Sequence, residues 1–122
     1  MPDLSFAILY VADPAASAAF YEAALGRPPV EASATFAMIP AGPGLMLGLW
    51  RRNGVVPPAD AGGGTELALT VSDAAAVLAC HAAWSELGVA MALVPTRLDF
   101  GFGFVALDPD GHRLRVFAPG AI

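Results

Sequence analysis

The sequence predicts an α+β fold built from two βαβββ modules. The first observation is a repeat: YVADPAASAAFYEAALG (10–26) and TVSDAAAVLACHAAWSELG (70–88) share a strand end, an Asp, an Ala-rich helix and a closing LG. The second is that short apolar or alternating runs follow each helix, as strands do. The third is NGVVPPADAGGG (53–64), which has no periodicity and joins the halves. We expect one domain over 1–122, with module 1 over 1–52, this linker, and module 2 over 65–122.

In module 1, one strand is predicted before the helix and three after it. The helix should begin after Asp13, a good N-cap, with Pro14 in the first helical position, where its missing N–H costs nothing. It should end at Gly26, beyond which two prolines forbid continuation. The strands are predicted over Leu4–Val11, Val30–Ala32, Thr35–Ile39 and Leu45–Arg51.

Module 2 repeats this order. Asp73 is predicted to cap a helix that ends before Gly88, and Asp108–Gly111 (DPDG) predicts a turn before the last strand. The strands are predicted over Glu66–Val71, Val89–Val94, Gly103–Leu107 and Arg113–Phe117.

The composition restricts the possible partners. The net charge is −5, with six Lys+Arg against eleven Asp+Glu and no basic run, which argues against nucleic acid. No apolar stretch is long enough to cross a bilayer, and the N-terminus lacks the pattern of a secretion signal. The single cysteine, Cys80, permits no intrachain disulfide and is expected to be a small buried filler in a cytoplasmic protein. Because only 14% of residues are charged, we expect a large apolar face buried in a homodimer.

The repeated V-x-D, the helix containing FY and ending in LG, and the DPDGH before the last strand resemble the vicinal oxygen chelate superfamily. That superfamily contains glyoxalases, bleomycin-type resistance proteins, extradiol dioxygenases and fosfomycin-modifying enzymes. The resemblance covers nearly the whole chain. It implies that the strands of both modules curl into one mixed sheet around a cup, and that the protein dimerises, with the modules either paired within a chain or exchanged between chains.

The resemblance also identifies where a metal would bind. Metal-dependent members place His or Glu at one inward position on the first and last strand of each module. The matching positions here are Phe6, Glu66, Arg115 and one within LMLGLW (45–50), which has no donor. A divalent metal needs several oxygen or nitrogen donors, and a guanidinium cannot be one. We therefore expect neither a metal nor another cofactor.

A cup with aromatic walls suits a flat, hydrophobic small molecule. Core packing explains Phe6 and Phe36 equally well, whereas Trp50 ends a strand beside two arginines and is expected to stack on a ligand. The aromatic residues expected to line the cup are Phe6, Tyr10, Phe36, Trp50, Phe100, Phe102 and Phe104.

Two explanations are open for Arg115, which shares a face of the last strand with Arg113 and Phe117. A buried arginine needs a partner. Glu66 in the same cup can supply one, or the forked donors of Arg115 can bind a carboxylate or polarised oxygen of a ligand. The two arrangements can coexist.

Among members of the superfamily, the chain is most similar to the metal-free phenazine-antibiotic resistance proteins, which also have an aliphatic strand ending in Trp, a Pro-containing linker and DPDGH. This resemblance implies a protein that sequesters a planar aromatic compound without chemistry. The implied sites are Trp50 and Phe100–Phe104, with His112 and Arg115 as lesser candidates. One alternative is an enzyme of the same fold acting on a small metabolite, with Glu66 as a base of raised pKa or a residual metal ligand. Another is an accessory subunit whose apolar surface recruits a second protein.

Overall fold

A computed structural model describes residues 4–59 and 66–120 of the chain. The chain divides into two compact units, Met1–Gly62 and Gly63–Ile122. Within the described residues each unit has one α-helix and one four-stranded mixed sheet, which confirms the α+β fold with two βαβββ modules. The strands form two sheets rather than the one curled sheet that the resemblance implies. The linker boundaries stay a prediction, since residues 60–65 lie outside the described part.

Module 1 contains helix α1 (Pro14–Leu25) and a sheet in the order β1-β4-β3-β2. The strands β1 and β4 are parallel neighbours, and the other pairs are antiparallel. A short 3-10 turn, Arg52–Gly54, follows β4 inside the predicted linker. The four strands are β1 (Phe6–Val11), β2 (Glu31–Ala32), β3 (Phe36–Gly42) and β4 (Leu45–Arg51).

Both ends of α1 are set by the residues that the sequence singles out. The Asp13 carboxylate accepts hydrogen bonds from the backbone N–H groups of Ala15 and Ala16, at 3.1 and 3.3 Å. These bonds satisfy two donors that have no partner inside the helix. At the other end Gly26 adopts the left-handed conformation (φ 70°), and its N–H donates to the Glu22 carbonyl.

Module 2 contains helix α2 (Ala74–Glu86), capped by Asp73 through the N–H of Ala76, and a sheet in the order β5-β8-β7-β6. The pair β6–β7 is longer than predicted, because residues 95–98 of the expected loop continue β6, and residues 96–98 pair with the start of β7. The four strands are β5 (Glu66–Thr70), β6 (Ala90–Leu98), β7 (Gly101–Leu107) and β8 (Arg113–Pro119).

Each sheet buries one face against the helix of its own module. The side chains of this face alternate along the strands with those of the opposite, open face. In module 1 the buried set is Leu9, Val11, Ala37, Ile39, Leu47 and Leu49, which pack with Ser17, Ala18 and Tyr21 of α1.

In module 2, Phe104 belongs to the buried core beneath α2. It is fully buried, and its ring meets those of Trp84 and His81 edge-to-face, with centroids 5.6 and 5.2 Å apart. The expectation that Phe104 lines a ligand site is therefore corrected: its ring lies on the helix side of the sheet. Phe102 is two residues before Phe104 on β7 and therefore lies on the same side of the sheet as Phe104. It is half-buried and pairs with Ala118 of β8.

The predicted DPDG turn joins β7 to β8. The Asp108 carboxylate accepts from the backbone N–H groups of Asp110 and His112, and Gly111 takes a positive φ of 84°. This arrangement starts β8 in a fixed register, with Arg113 opposite Leu107. In the described part of the chain, no helix is long and apolar enough to cross a membrane.

Candidate functional site

The open face of the module 1 sheet carries a cluster of aromatic rings. Tyr10 of β1 lies beside Trp50 of β4, and Phe36 of β3 lies beside Trp50 on the other side. Both rings meet the indole edge-to-face, each with a centroid distance of 6.5 Å. The strand register therefore brings together three residues that are far apart in the sequence.

This cluster continues along the sheet as an apolar surface. Phe6, Ile8 and Tyr10 remain 41%, 44% and 37% exposed. Contiguous exposed apolar surface on a protein commonly marks a binding site. We call this surface the aromatic face; its members are Phe6, Ile8, Tyr10, Phe36, Met38, Met46 and Trp50.

Gly48 lies in the middle of the aromatic face. A Cβ atom there would lie 3.1 Å from Cζ of Phe36 and 3.2 Å from Cγ1 of Ile8. The missing side chain therefore lets both neighbours lie close over the sheet. Gly48 is also two residues beyond Met46, the β4 partner of Phe6.

The same strand register identifies the fourth of the metal positions that the resemblance implies. In module 2, Glu66 pairs with Arg113, and Arg115 follows two residues later, so Arg115 corresponds to Gly48. The four positions thus hold Phe6, Gly48, Glu66 and Arg115. Residues 4–59 and 66–120 contain no group of three or more His, Cys, Asp or Glu that could hold a metal. These residues do not fit a divalent metal, which needs several oxygen or nitrogen donors.

The open face of module 2 carries an ion pair at two of those positions. Nε of Arg115 donates to Glu66 Oε2 at 2.8 Å, and Nη2 donates to Oε1 at 3.4 Å. The side chains are 16% exposed for Arg115 and 36% exposed for Glu66. The pairing of Arg115 with Glu66, one of two explanations open from the sequence, is therefore confirmed.

The ion pair decides the acid–base character of Glu66. The hydrogen bond from Arg115 lowers the pKa of the carboxyl group, and the charges of Arg115 and Arg113 lower it further against an opposing effect of burial. A general base near neutral pH would need a raised pKa. A raised pKa for Glu66 was expected because burial in an apolar cup disfavours the charged carboxylate. That expectation is wrong, because the Arg115 cation is in contact with the carboxylate and favours its charged form.

Two aromatic residues complete the module 2 face. The Arg115 guanidinium carbon lies 5.3 Å from the ring centroid of Phe100, a cation–π distance, and the Phe100 ring meets that of Phe117 at 5.5 Å. Phe100 lies in the turn between β6 and β7 and is 48% exposed. The structure thus brings Phe100 and Glu66 to Arg115, while His112 lies in the turn before β8.

A pocket at the carboxyl ends of β1 and β4 was not predicted from the sequence. It has a volume of about 250 Å³, and we call it the arginine pocket; it is lined by Val11, Ala12, Arg51, Arg52 and Asn53. The 3-10 turn that forms part of it falls in a segment taken for linker. The adjacent arginines, two of only six basic residues in the chain, were the available signal.

Comparison with known proteins identifies the architecture. The family model of the Glyoxalase/Bleomycin resistance protein/Dioxygenase superfamily matches residues 4–116. The comparison with curated proteins gave no match.

Solved structures agree with the family match. The solution NMR structure of protein ATC0852 from Agrobacterium tumefaciens is 48% identical, with a TM-score of 0.88 over 98% of this chain and 99% of that one. A glyoxalase-related enzyme from Fulvimarina pelagi is 22% identical, with a TM-score of 0.84 over 97% of this chain and 88% of that one. A glyoxalase/bleomycin resistance protein/dioxygenase family enzyme from Burkholderia phytofirmans is 20% identical, with a TM-score of 0.83 over 97% and 99%. The last two likenesses concern the fold alone.

Proposed function

The chain belongs to the Glyoxalase/Bleomycin resistance protein/Dioxygenase superfamily, and we propose that it binds and sequesters a planar aromatic compound without a metal, in the manner of an antibiotic-resistance protein. The observation that supports this proposal is the aromatic face. Three rings in edge-to-face contact, Tyr10, Trp50 and Phe36, stand on an open sheet surface beside exposed Phe6 and Ile8. Such a surface binds through apolar burial and ring stacking.

The apolar area that micromolar binding requires favours a flat polycyclic ligand over a small metabolite. Micromolar affinity corresponds to about −8 kcal/mol. Stacking against two rings supplies about 1–3 kcal/mol beyond burial. The remainder requires at least about 200–280 Å² of buried apolar surface at ~25 cal/mol per Å².

The chemistry of Glu66 supports binding without catalysis. Its carboxylate is engaged by two donors of Arg115, and its pKa is lowered, so it is a poor base at neutral pH. A homodimer and a cytoplasmic location belong to the same proposal. The homodimer accounts for exposed apolar side chains such as Leu4 and Val56, at 81% and 77% exposed.

Tryptophan fluorescence tests the proposal, because the two tryptophans have different surroundings. Trp50 belongs to the aromatic face, whereas Trp84 is 4% exposed beneath the module 2 sheet. Phenazine- and quinone-like compounds are titrated into wild type, Trp84→Phe and Trp50→Phe, with free N-acetyltryptophanamide correcting for light absorption by the ligand. We expect saturable micromolar quenching in wild type and Trp84→Phe, and none in Trp50→Phe.

Calorimetric titration of Trp50→Ala separates loss of signal from loss of binding. We expect this variant to bind at least tenfold more weakly, and wild type to bind equally well in the presence of a chelator. If a broad panel of flat aromatic compounds leaves Trp50 emission unchanged, sequestration is refuted. A bound divalent metal together with an activity that chelation abolishes would favour the enzyme.

A further inference from the structure

The ion pair with Glu66 uses only one edge of the Arg115 guanidinium. A guanidinium carries five N–H donors in a planar fork. Nε donates to Oε2 of Glu66, and Nη2 donates to Oε1, so the carboxylate occupies the Nε side of the fork. The other N–H groups, on Nη1 and on the far side of Nη2, point away from Glu66. We call this second set of parallel donors the outer edge of Arg115.

The outer edge of Arg115 is accessible. Across residues 4–59 and 66–120, no hydrogen bond engages Nη1, and Nη1 is not among the buried side-chain atoms that lack a partner. The neighbours of Arg115 across the sheet are Ala68 of β5 and Val105 of β7. Both side chains are short, so the guanidinium extends beyond them. A ligand oxygen on the open face of module 2 can therefore accept from the outer edge.

The guanidinium is held in place before any ligand arrives. Glu66 fixes its inner edge, and its carbon lies 5.3 Å from the ring centroid of Phe100. The Phe100 ring meets that of Phe117 at 5.5 Å. Phe117 in turn lies close against Gly103, where a Cβ would come within 2.7 Å of the Phe117 Cβ. A donor that is already fixed loses less entropy when it binds.

The charge of Glu66 decides which oxygen suits the outer edge. The carboxylate is ionised at neutral pH, because Arg115 lowers its pKa, and it neutralises the guanidinium that it contacts. A second carboxylate at the outer edge would be repelled by Glu66 and would lose its own hydration. Arg113 offsets this little, since it is exposed and water screens its charge. A neutral carbonyl oxygen gains the hydrogen bonds without that repulsion.

We propose that the outer edge of Arg115 binds the neutral carbonyl oxygen of an aryl ketone or quinone, and that Glu66 sets the preference for a neutral oxygen. The half-exposed ring of Phe100, beside the guanidinium, supplies the apolar contact for the aromatic ring of the ligand. This inference goes beyond the proposed function, which rests on the aromatic face of module 1, because it assigns a binding site to module 2.

Three probes with one ring system test the site: 2-acetylnaphthalene, 2-naphthoate and 2-isopropenylnaphthalene. They carry a neutral carbonyl, a carboxylate and no acceptor on the same naphthalene. Each is titrated into the isotope-labelled full chain, and the NMR signals of Arg115 Nε–H and of the Phe100 backbone N–H report binding at this site. We expect the ketone to bind wild type about tenfold more tightly than the alkene and about threefold more tightly than the acid.

Glu66→Gln tests the origin of the preference. The amide keeps an oxygen that can accept from Nε of Arg115 but removes the negative charge. We expect the acid to gain about tenfold relative to the ketone, so that the order of the two is reversed. The control is Glu86→Gln, which makes the same chemical change at an exposed position at the end of α2 and should leave the wild-type order.

Arg115→Gln should abolish the advantage of the ketone over the alkene, whereas Arg113→Gln, the same charge change on the same face, should preserve it. Thermal unfolding checks that each variant folds, and the Glu66→Gln comparison decides the matter if Arg115→Gln does not.

Equal wild-type affinities for ketone and alkene would overturn the inference, as would tighter wild-type binding of the acid than of the ketone. An unchanged order in Glu66→Gln would also overturn it. If no probe shifts the Arg115 and Phe100 signals, this site is refuted, while the emission of Trp50 still decides the proposed function separately.

Discussion

The ion pair between Arg115 and Glu66 should stabilise module 2 by an amount that a double-mutant cycle can measure. Exposed ion pairs contribute about 0.2–1 kcal/mol. This pair has two hydrogen bonds and a half-buried arginine, so we expect a coupling of about 1 kcal/mol between Glu66→Gln and Arg115→Gln. The single change Arg115→Gln should cost roughly a further 0.5–1 kcal/mol, because it also removes the cation–π contact with Phe100.

The pH dependence of this coupling follows from the lowered pKa of Glu66. The folded protein holds the carboxyl group ionised below its ordinary pKa of 4.5, so the stabilisation is fully present above that value. It is lost as the pH falls through the lowered folded pKa. The coupling should therefore be constant between pH 6 and 8, shrink progressively below about pH 4.5, and weaken in 1 M salt.

Urea unfolding in a Trp50→Phe background measures the coupling, since Trp84 then reports module 2 alone. Trp84 packs against Phe104 in the same module as the ion pair, so its emission follows unfolding of that module. Glu86→Gln makes the same chemical change at an exposed position at the end of α2 and should alter the free energy of unfolding by less than ~0.5 kcal/mol. A coupling below about 0.2 kcal/mol at low salt, or one unchanged at pH 3, would refute the argument.

Two further predictions concern packing. Phe104→Leu should lower the free energy of unfolding by about 1–1.5 kcal/mol without changing ligand affinity, whereas Phe36→Leu should weaken ligand binding at little cost in stability. Urea unfolding measures the stability of both variants, and calorimetric titration measures their ligand affinity. Weaker ligand binding in Phe104→Leu would contradict this prediction. Gly48→Ala should shift Trp50 emission, because the new Cβ displaces the Phe36 ring that contacts the indole. The free energy of unfolding should stay within about 1 kcal/mol of wild type, because the reduced backbone freedom of the unfolded chain offsets the cost of moving that ring. An unchanged emission spectrum would show that Phe36 does not move.

Local chemistry made most of the fold predictable. Asp13 and Asp73 cap the two helices as expected, because a short carboxylate before a helix satisfies N–H groups that have no other partner. Gly26 ends the first helix since it adopts a positive φ without strain. The strand β4 begins and ends at the predicted residues. Arg113, Arg115 and Phe117 were predicted to share one face of the last strand, because side chains alternate between the two faces of any strand.

The sequence of β7 shows where such patterns fail. In GFGF the alternation places Phe102 and Phe104 on one face, but the sequence does not say which face. The approach of β8 decides it: a Cβ on Gly103 would lie 2.7 Å from Cβ of Phe117 and 2.4 Å from the Val116 carbonyl oxygen. The glycines therefore take the open face, and the phenylalanines turn toward α2. Glycine inside a strand indicates a close approach, and that was the available signal.

The sequence by itself determined the two modules, their caps and turns, and the absence of donors at Phe6 and within 45–50, because these depend on residue type and short-range spacing. Only the tertiary structure decided that Arg115 binds Glu66, that Phe104 is core, and that Arg51 and Arg52 meet the end of β1 in one pocket. Each of these depends on which strands become neighbours and in what register. That choice belongs to packing across the whole sheet, and no local segment contains it.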